Sequence, residues 1–137
     1  MAKNCSIHYE LTQSLFEESE SQIFDYQGKI LKIDEKYHLH YSFMQDNIST
    51  DVLMVIGNKS ITVKQSGGIV SQTTYLPGQI TDMIYKAPTG SFAMKCFTTS
   101  YHLKSCESNI NILISYDLLT GNDLLCSNKL NIQVNYQ

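Results

Sequence analysis

The chain has 137 residues, with ten lysines, no arginine, thirteen acidic residues and a formal net charge of -3. That length suits one domain, and a balance without clustered cations or guanidinium forks gives nucleic acid no foothold. A hydrophobic content of 42% against 17% charged is enough to fill a core and argues against disorder.

Isoleucine, valine, threonine, tyrosine and phenylalanine make up 43 of the 137 residues, and alanine occurs only at 2, 87 and 93. β-branched and aromatic types suit a pleated, half-buried surface, so strands are expected and helix is not. In the first strand Cys5, Ile7, Tyr9, Leu11 and Leu15 share a dry face opposite Ser6, His8, Glu10, Thr12 and Ser14, with Gln13 interrupting the dry series near its end. Gly28 falls inside the second strand and predicts a bulge or a sharp bend. Tyr37, Leu39, Tyr41 and Phe43 then alternate with His38, His40 and Ser42. Further on, Asp82 stands between Ile80 and Ile84 and is expected to be solvated. In the eighth strand Phe92, Met94 and Cys96 keep one phase while Phe97, Tyr101 and Leu103 keep the other, which predicts a bulge near Thr98. Ile110, Ile112, Ile114, Tyr116 and Leu118 form the next dry face. The last strand turns Leu124, Cys126, Leu130, Ile132, Val134 and Tyr136 inward, and Asn128 breaks that series.

Gly57-Asn58, Ser66-Gly67-Gly68, Pro77-Gly78, Pro88-Thr89-Gly90 and Gly121-Asn122 punctuate the runs with turn residues. About ten strands in up-and-down order follow, with one dry and one wet face each. Rolling them into a cylinder removes the unpaired edges. The expected fold is therefore all-β: a single closed antiparallel barrel of 8–10 strands spanning residues 1–137.

The chemistry-bearing motifs are sparse. His38 and His40 share a strand face within reach of one metal ion, yet the opposite face is apolar, so both are expected in solvent and no metal site is expected. Asp82 and Asp117 have no acid or base partner in the pattern, so no catalytic set and no cofactor are expected. Cys5, Cys96, Cys106 and Cys126 form no C-x-x-C pair and are expected as free buried thiols. The first residues hold no apolar block, and no run approaches the roughly 20 apolar residues of a membrane helix, so a cytoplasmic protein with no membrane partner is expected. A buried Asn128 must find hydrogen-bond partners, either by tying down structure or by orienting a ligand.

Tyr75-Leu76-Pro77-Gly78, Tyr85-Lys86-Ala87-Pro88-Thr89-Gly90, Thr98-Thr99, Ile114-Ser115-Tyr116-Asp117-Leu118 and Asn128-Lys129-Leu130-Asn131-Ile132 arrive in that order. In this order and spacing the chain resembles the YwiB-like family of low-GC Gram-positive bacteria, which are small calycin-like (lipocalin-like) barrels without an established activity. The resemblance implies a closed, cytoplasmic antiparallel barrel and carries over no catalytic residues. Two positions depart from that family's pattern. Gln65 or Lys64 stands where an arginine is usual before the Ser-Gly turn, and Ala87 stands where threonine is usual.

Two expectations of function follow. The first is a binding protein that takes a small, largely apolar ligand in or at the mouth of the barrel, lined by Tyr9, Tyr41, Phe43, Tyr116 and Asn128. The other is an interaction or structural module with a solid core and no ligand. Oligomeric state has no signature in the sequence.

Overall fold

Strands form wherever the two-residue rhythm runs between turn residues. The computed structural model describes residues 2–137. Its elements are β1 (Lys3–Leu15), β2 (Glu18–Ile33), β3 (Lys36–Gln45), β4 (Ile48–Ile56), β5 (Ile61–Gly67), β6 (Val70–Tyr75), β7 (Ile80–Ala87), β8 (Gly90–Ser105), β9 (Asn109–Thr120) and β10 (Asp123–Tyr136). Each strand pairs antiparallel with its neighbour in sequence, and β10 pairs with β1 to close the barrel. This is the closed up-and-down cylinder expected from the alternation, and it is consistent with the calycin-like form that the family resemblance implies.

The five turns after the odd-numbered strands gather at one end, here the upper end, and the turns after β2, β4, β6 and β8 at the lower end. The lower half is packed with aliphatic side chains. Leu39, Met54, Ile56, Ile61, Ile110, Ile112 and Ile132 are all fully buried there, each contributing about 1.5–3 kcal/mol by leaving water. Tyr101 closes the floor by donating its hydroxyl to the Gly57 carbonyl at 2.7 Å.

The ladders are uneven. β2 pairs with β1 along residues 18–30, but with β3 only from Gly28↔Tyr41 to Ile33↔Lys36. Above that level β2 and β3 part. β6 and β7 share three pairs, Val70↔Lys86 to Gln72↔Ile84. Below them the Thr81 hydroxyl donates to the Thr74 carbonyl at 2.7 Å, and the Gly78 N–H donates to the Thr98 carbonyl at 2.9 Å.

Gly28 is not a bulge. No register shift occurs there: Gly28 pairs in sequence with β1 and forms the end pair of the ladder with β3, at the level where β2 and β3 part. Of the bulge and the bend expected, the bulge is absent. The glycine permits close approach, since an added Cβ would stand 2.5 Å from the His40 carbonyl oxygen. The bulge near Thr98 is present, between Thr98 and Ser100, and it moves Tyr101 and Leu103 onto the inner face. Phe97 lies before the shift and faces outward, so grouping it with Tyr101 is corrected. A further bulge between Leu124 and Cys126 leaves Leu124 exposed, not inward. Leu15, last on its strand, is exposed as well.

Three turns carry no glycine or proline. Phe16, Asp34, Glu35, Asp46 and Asn47 adopt positive φ there, as mirror-image hairpin turns demand. Asp and Asn tolerate that region by bonding their own backbone, whereas Glu35 at φ 69° has no such help. Glu35→Gly is therefore expected to stabilise the protein by about 0.5–1 kcal/mol, read as a higher urea midpoint at unchanged slope.

Candidate functional site

The inner face of the upper half carries a continuous polar row where the sequence showed only two isolated interruptions. Gln13 pairs with Asn128, Asn128 with Tyr116, and Tyr116 with Thr98, which makes one cross-strand row over β1, β10, β9 and β8. Asn128 is 2% exposed. Its amide nitrogen donates to Cys126 Sγ at 3.3 Å, a weak acceptor. Its Oδ1 is buried with no hydrogen-bond partner among the described residues. A buried carbonyl left without a donor costs about 1–3 kcal/mol, so this acceptor calls for a donor that the described side chains and backbone do not supply.

Aromatic rings gather on the inner face and reach this row through Tyr116. Tyr26 stacks on Tyr41 at 4.6 Å between ring centroids and lies 6.1 Å from Phe43, bridging the place where β2 and β3 part. Tyr75 meets Tyr116 at 4.8 Å, and Tyr9 meets Phe24 edge-on at 6.1 Å. Of the five residues expected to line a ligand, Tyr41, Tyr116 and Asn128 are buried, while Tyr9 and Phe43 are half-buried against the core. Tyr26, Tyr75 and Thr98 belong to the same interior and were not singled out by alternation alone. Phe24 and Phe92 also lie on inner faces, opposite Tyr9 and Tyr85, yet they are 39% and 51% exposed.

Burial raises the phenols' pKa values. Tyr9 and Tyr75 are pushed far up by lost hydration first, and then by repulsion from neighbouring phenols, Tyr116 foremost in each case. Tyr41 rises for the same two reasons, with Tyr26 as its neighbour. Tyr116 and Tyr101 are each pushed up to about 12, with burial the leading cause. Cys96, buried beside Thr98, is raised to about 11, again chiefly by burial. In the unfolded chain these groups ionise near 9.0 for the thiol and 10.0 for the phenols. The unfolded state thus sheds protons first, and stability is complete below pH 9 and falls as pH rises toward 12. Each such group removes about 1.4 kcal/mol per pH unit inside its window. Alkaline titration is expected to show phenolate absorbance appearing in one cooperative step with unfolding, where exposed tyrosines would titrate gradually.

A concavity of about 410 Å³ opens at the mouth, between the upper turns of β3–β4, β5–β6 and β7–β8. Ile48, Ile69, Tyr85, Ala87 and Pro88 give it an apolar wall, and Asp46 supplies its charge. None of the five expected lining residues borders it. Ala87, one of the two departures from the family pattern, does.

The other singled-out residues stand apart. His38 is half-buried and His40 exposed on the outer face. No group of three or more His, Cys, Asp or Glu side chains is placed to hold a metal ion among the described residues. Asp82 is exposed opposite Lys95, and Asp117 accepts from the Ser127 hydroxyl at 2.7 Å on the outer wall. All four cysteines are free. Cys5 and Cys96 are buried as expected, Cys126 is half-buried, and Cys106 is exposed in the β8–β9 turn, against expectation.

The fold has a solved counterpart. The crystal structure of the ywiB protein from Bacillus subtilis matches with a TM-score of 0.89, covering 99% of this chain and 93% of that one at 19% sequence identity. At that identity the likeness speaks for the fold. No curated protein matches the chain. The family described as Domain of unknown function (DUF1934) matches residues 7–132, more than nine-tenths of the sequence, and the chain therefore belongs to it as a YwiB-like barrel.

Proposed function

We propose that this barrel binds a small, largely apolar ligand in its upper half and anchors it by one hydrogen bond to Asn128. The observation that carries the reading is the Asn128 Oδ1, buried and without a partner among the described residues. A group that is costly to leave unmade is most simply kept for a donor arriving with a ligand. The phenols of Tyr9, Tyr41 and Tyr116 and the rings of Phe43 and Tyr26 supply stacking surface around it. The exposure of the inward-facing Phe24 and Phe92 supports the upper end as the route in. The ligand is thus ring-bearing or aliphatic, uncharged at the buried end, and carries an N–H or O–H donor there. The proposed setting is the cytoplasm, where four free thiols stay reduced.

Native mass spectrometry of the protein purified from its own host tests the reading. A retained small molecule that leaves on denaturation is the expected result. A bare polypeptide mass, together with no uptake of an apolar fluorescent probe, would overturn it.

A further inference from the structure

Phe16 is 96% exposed at the β1–β2 tip, more than any other large apolar side chain among the described residues, and its φ is 57°. A bulky residue in the left-handed region is unfavourable by about 1–2 kcal/mol, and asparagine or glycine would relieve it. Neither turn geometry nor packing within the barrel explains an aromatic there. Leu15 is exposed beside it, Glu17 follows it in the turn, and the exposed Glu18 and Glu20 stand opposite Leu15 and Gln13, so the tip is an apolar anchor on an acidic hairpin end.

The outer wall holds its chemical complement. A groove of about 580 Å³ runs across β3 to β7, with Leu53, Val70 and Ile84 as apolar lining and Lys64, Lys86 and His40 as basic groups. Ile84, Gln72, Lys64, Leu53 and His40 stand side by side in register on successive strands, so the groove is a fixed feature of the sheet. Neither lysine takes part in an ion pair among the described residues. The one acid in the groove, Asp51, accepts a hydrogen bond from the Ser42 hydroxyl. A cationic, partly apolar groove on a chain of net charge -3 is a local exception.

We propose that the Phe16 tip of one copy docks into this groove of a second copy. Phe16 meets Leu53, Val70 and Ile84, while the glutamates face Lys64 and Lys86. The mouth concavity is the poorer acceptor, because Asp46 supplies its charge and would repel an acidic tip. In the proposed assembly a two-fold axis exchanges the contact, so that each copy gives its tip and receives the other's; one-way docking would instead grow chains. Each contact is small against the roughly 1,200 Å² of a stable interface, so the dimer is weak and salt-sensitive.

Sedimentation velocity across protein concentration at low and high salt tests this on the full chain. The expected result is a shift from monomer to dimer with concentration, suppressed by salt. Phe16→Asn keeps or raises unfolding stability while raising the dimer dissociation constant about thirtyfold, as loss of a buried anchor does. Glu17→Lys/Glu18→Lys and Lys64→Glu/Lys86→Glu each remain monomeric alone and associate when mixed, since every tip then faces a groove of opposite charge. Adding Phe16→Asn to both abolishes the mixed dimer, which separates docking from bulk attraction of opposite charges. A wild type that stays monomeric throughout, a dimer indifferent to Phe16→Asn, or a mixture that does not associate would each overturn the proposal.

Discussion

Gly28→Ala is expected to destabilise the protein by about 3 kcal/mol, the upper end of overpacking costs. The new Cβ would meet the His40 carbonyl oxygen at 2.5 Å, and Ile7 Cδ1 and Tyr41 Cβ at 3.1 Å. A side chain's end can swing away, but the carbonyl belongs to the β3 backbone and moves only with its ladder. Gly28↔Tyr41 is the last pair before β2 leaves β3, so forcing them apart extends the gap downward into the packed half. A fall in the urea midpoint at constant slope is the expected reading. A variant as stable as the wild type would show that the two backbones do not approach as described.

Asn128→Leu is expected to act in two opposite directions. The ligand-free protein gains about 1–2 kcal/mol, because an orphaned carbonyl is replaced by an apolar group of similar size and only a weak bond to Cys126 is lost. Ligand retention falls at least tenfold, since a hydrogen bond is removed from a buried site. Unfolding of the ligand-free variant and mass spectrometry of the host-purified variant check the two halves separately. Destabilisation would mean that Asn128 ties structure together, which is the other use of a buried amide.

The barrel was legible because its evidence is periodic. Ile110 to Leu118, and Leu130 to Val134, alternate without error, and nothing but a strand buries every second residue. Gly28 was legible as special but not in kind, since a missing side chain signals bulge and close approach alike. Leu124 and Phe97 were misplaced for one reason: a bulge inserts a residue and inverts the phase on one side of it, and only the cross-strand partner fixes where. The turns at Asp34-Glu35 and Phe16-Glu17 carry no glycine or proline, so their position follows from the strands around them.

The site was legible in part. Asn128 and Gln13 each broke a dry series, but their direct pairing is a matter of register between β1 and β10, which no single strand's pattern contains. Tyr26 and Tyr75 look like ordinary core residues in sequence; their meeting with Tyr41 and Tyr116 depends on closure of the cylinder. The Phe16 tip and the basic wall groove were invisible for a different reason. A single aromatic in a turn and two lysines on separate strands carry no periodic signal, and they become a pair only in three dimensions.

A crystal structure of the host-purified protein, at a resolution that distinguishes a ligand from water, decides whether Asn128 serves a ligand. A bound molecule is expected among Tyr9, Tyr41, Phe43 and Tyr116, with its donor about 2.7–3.2 Å from Asn128 Oδ1. An Oδ1 satisfied by a protein donor or by one isolated water, with the aromatic rings closed around it, would mean that the barrel holds no ligand there.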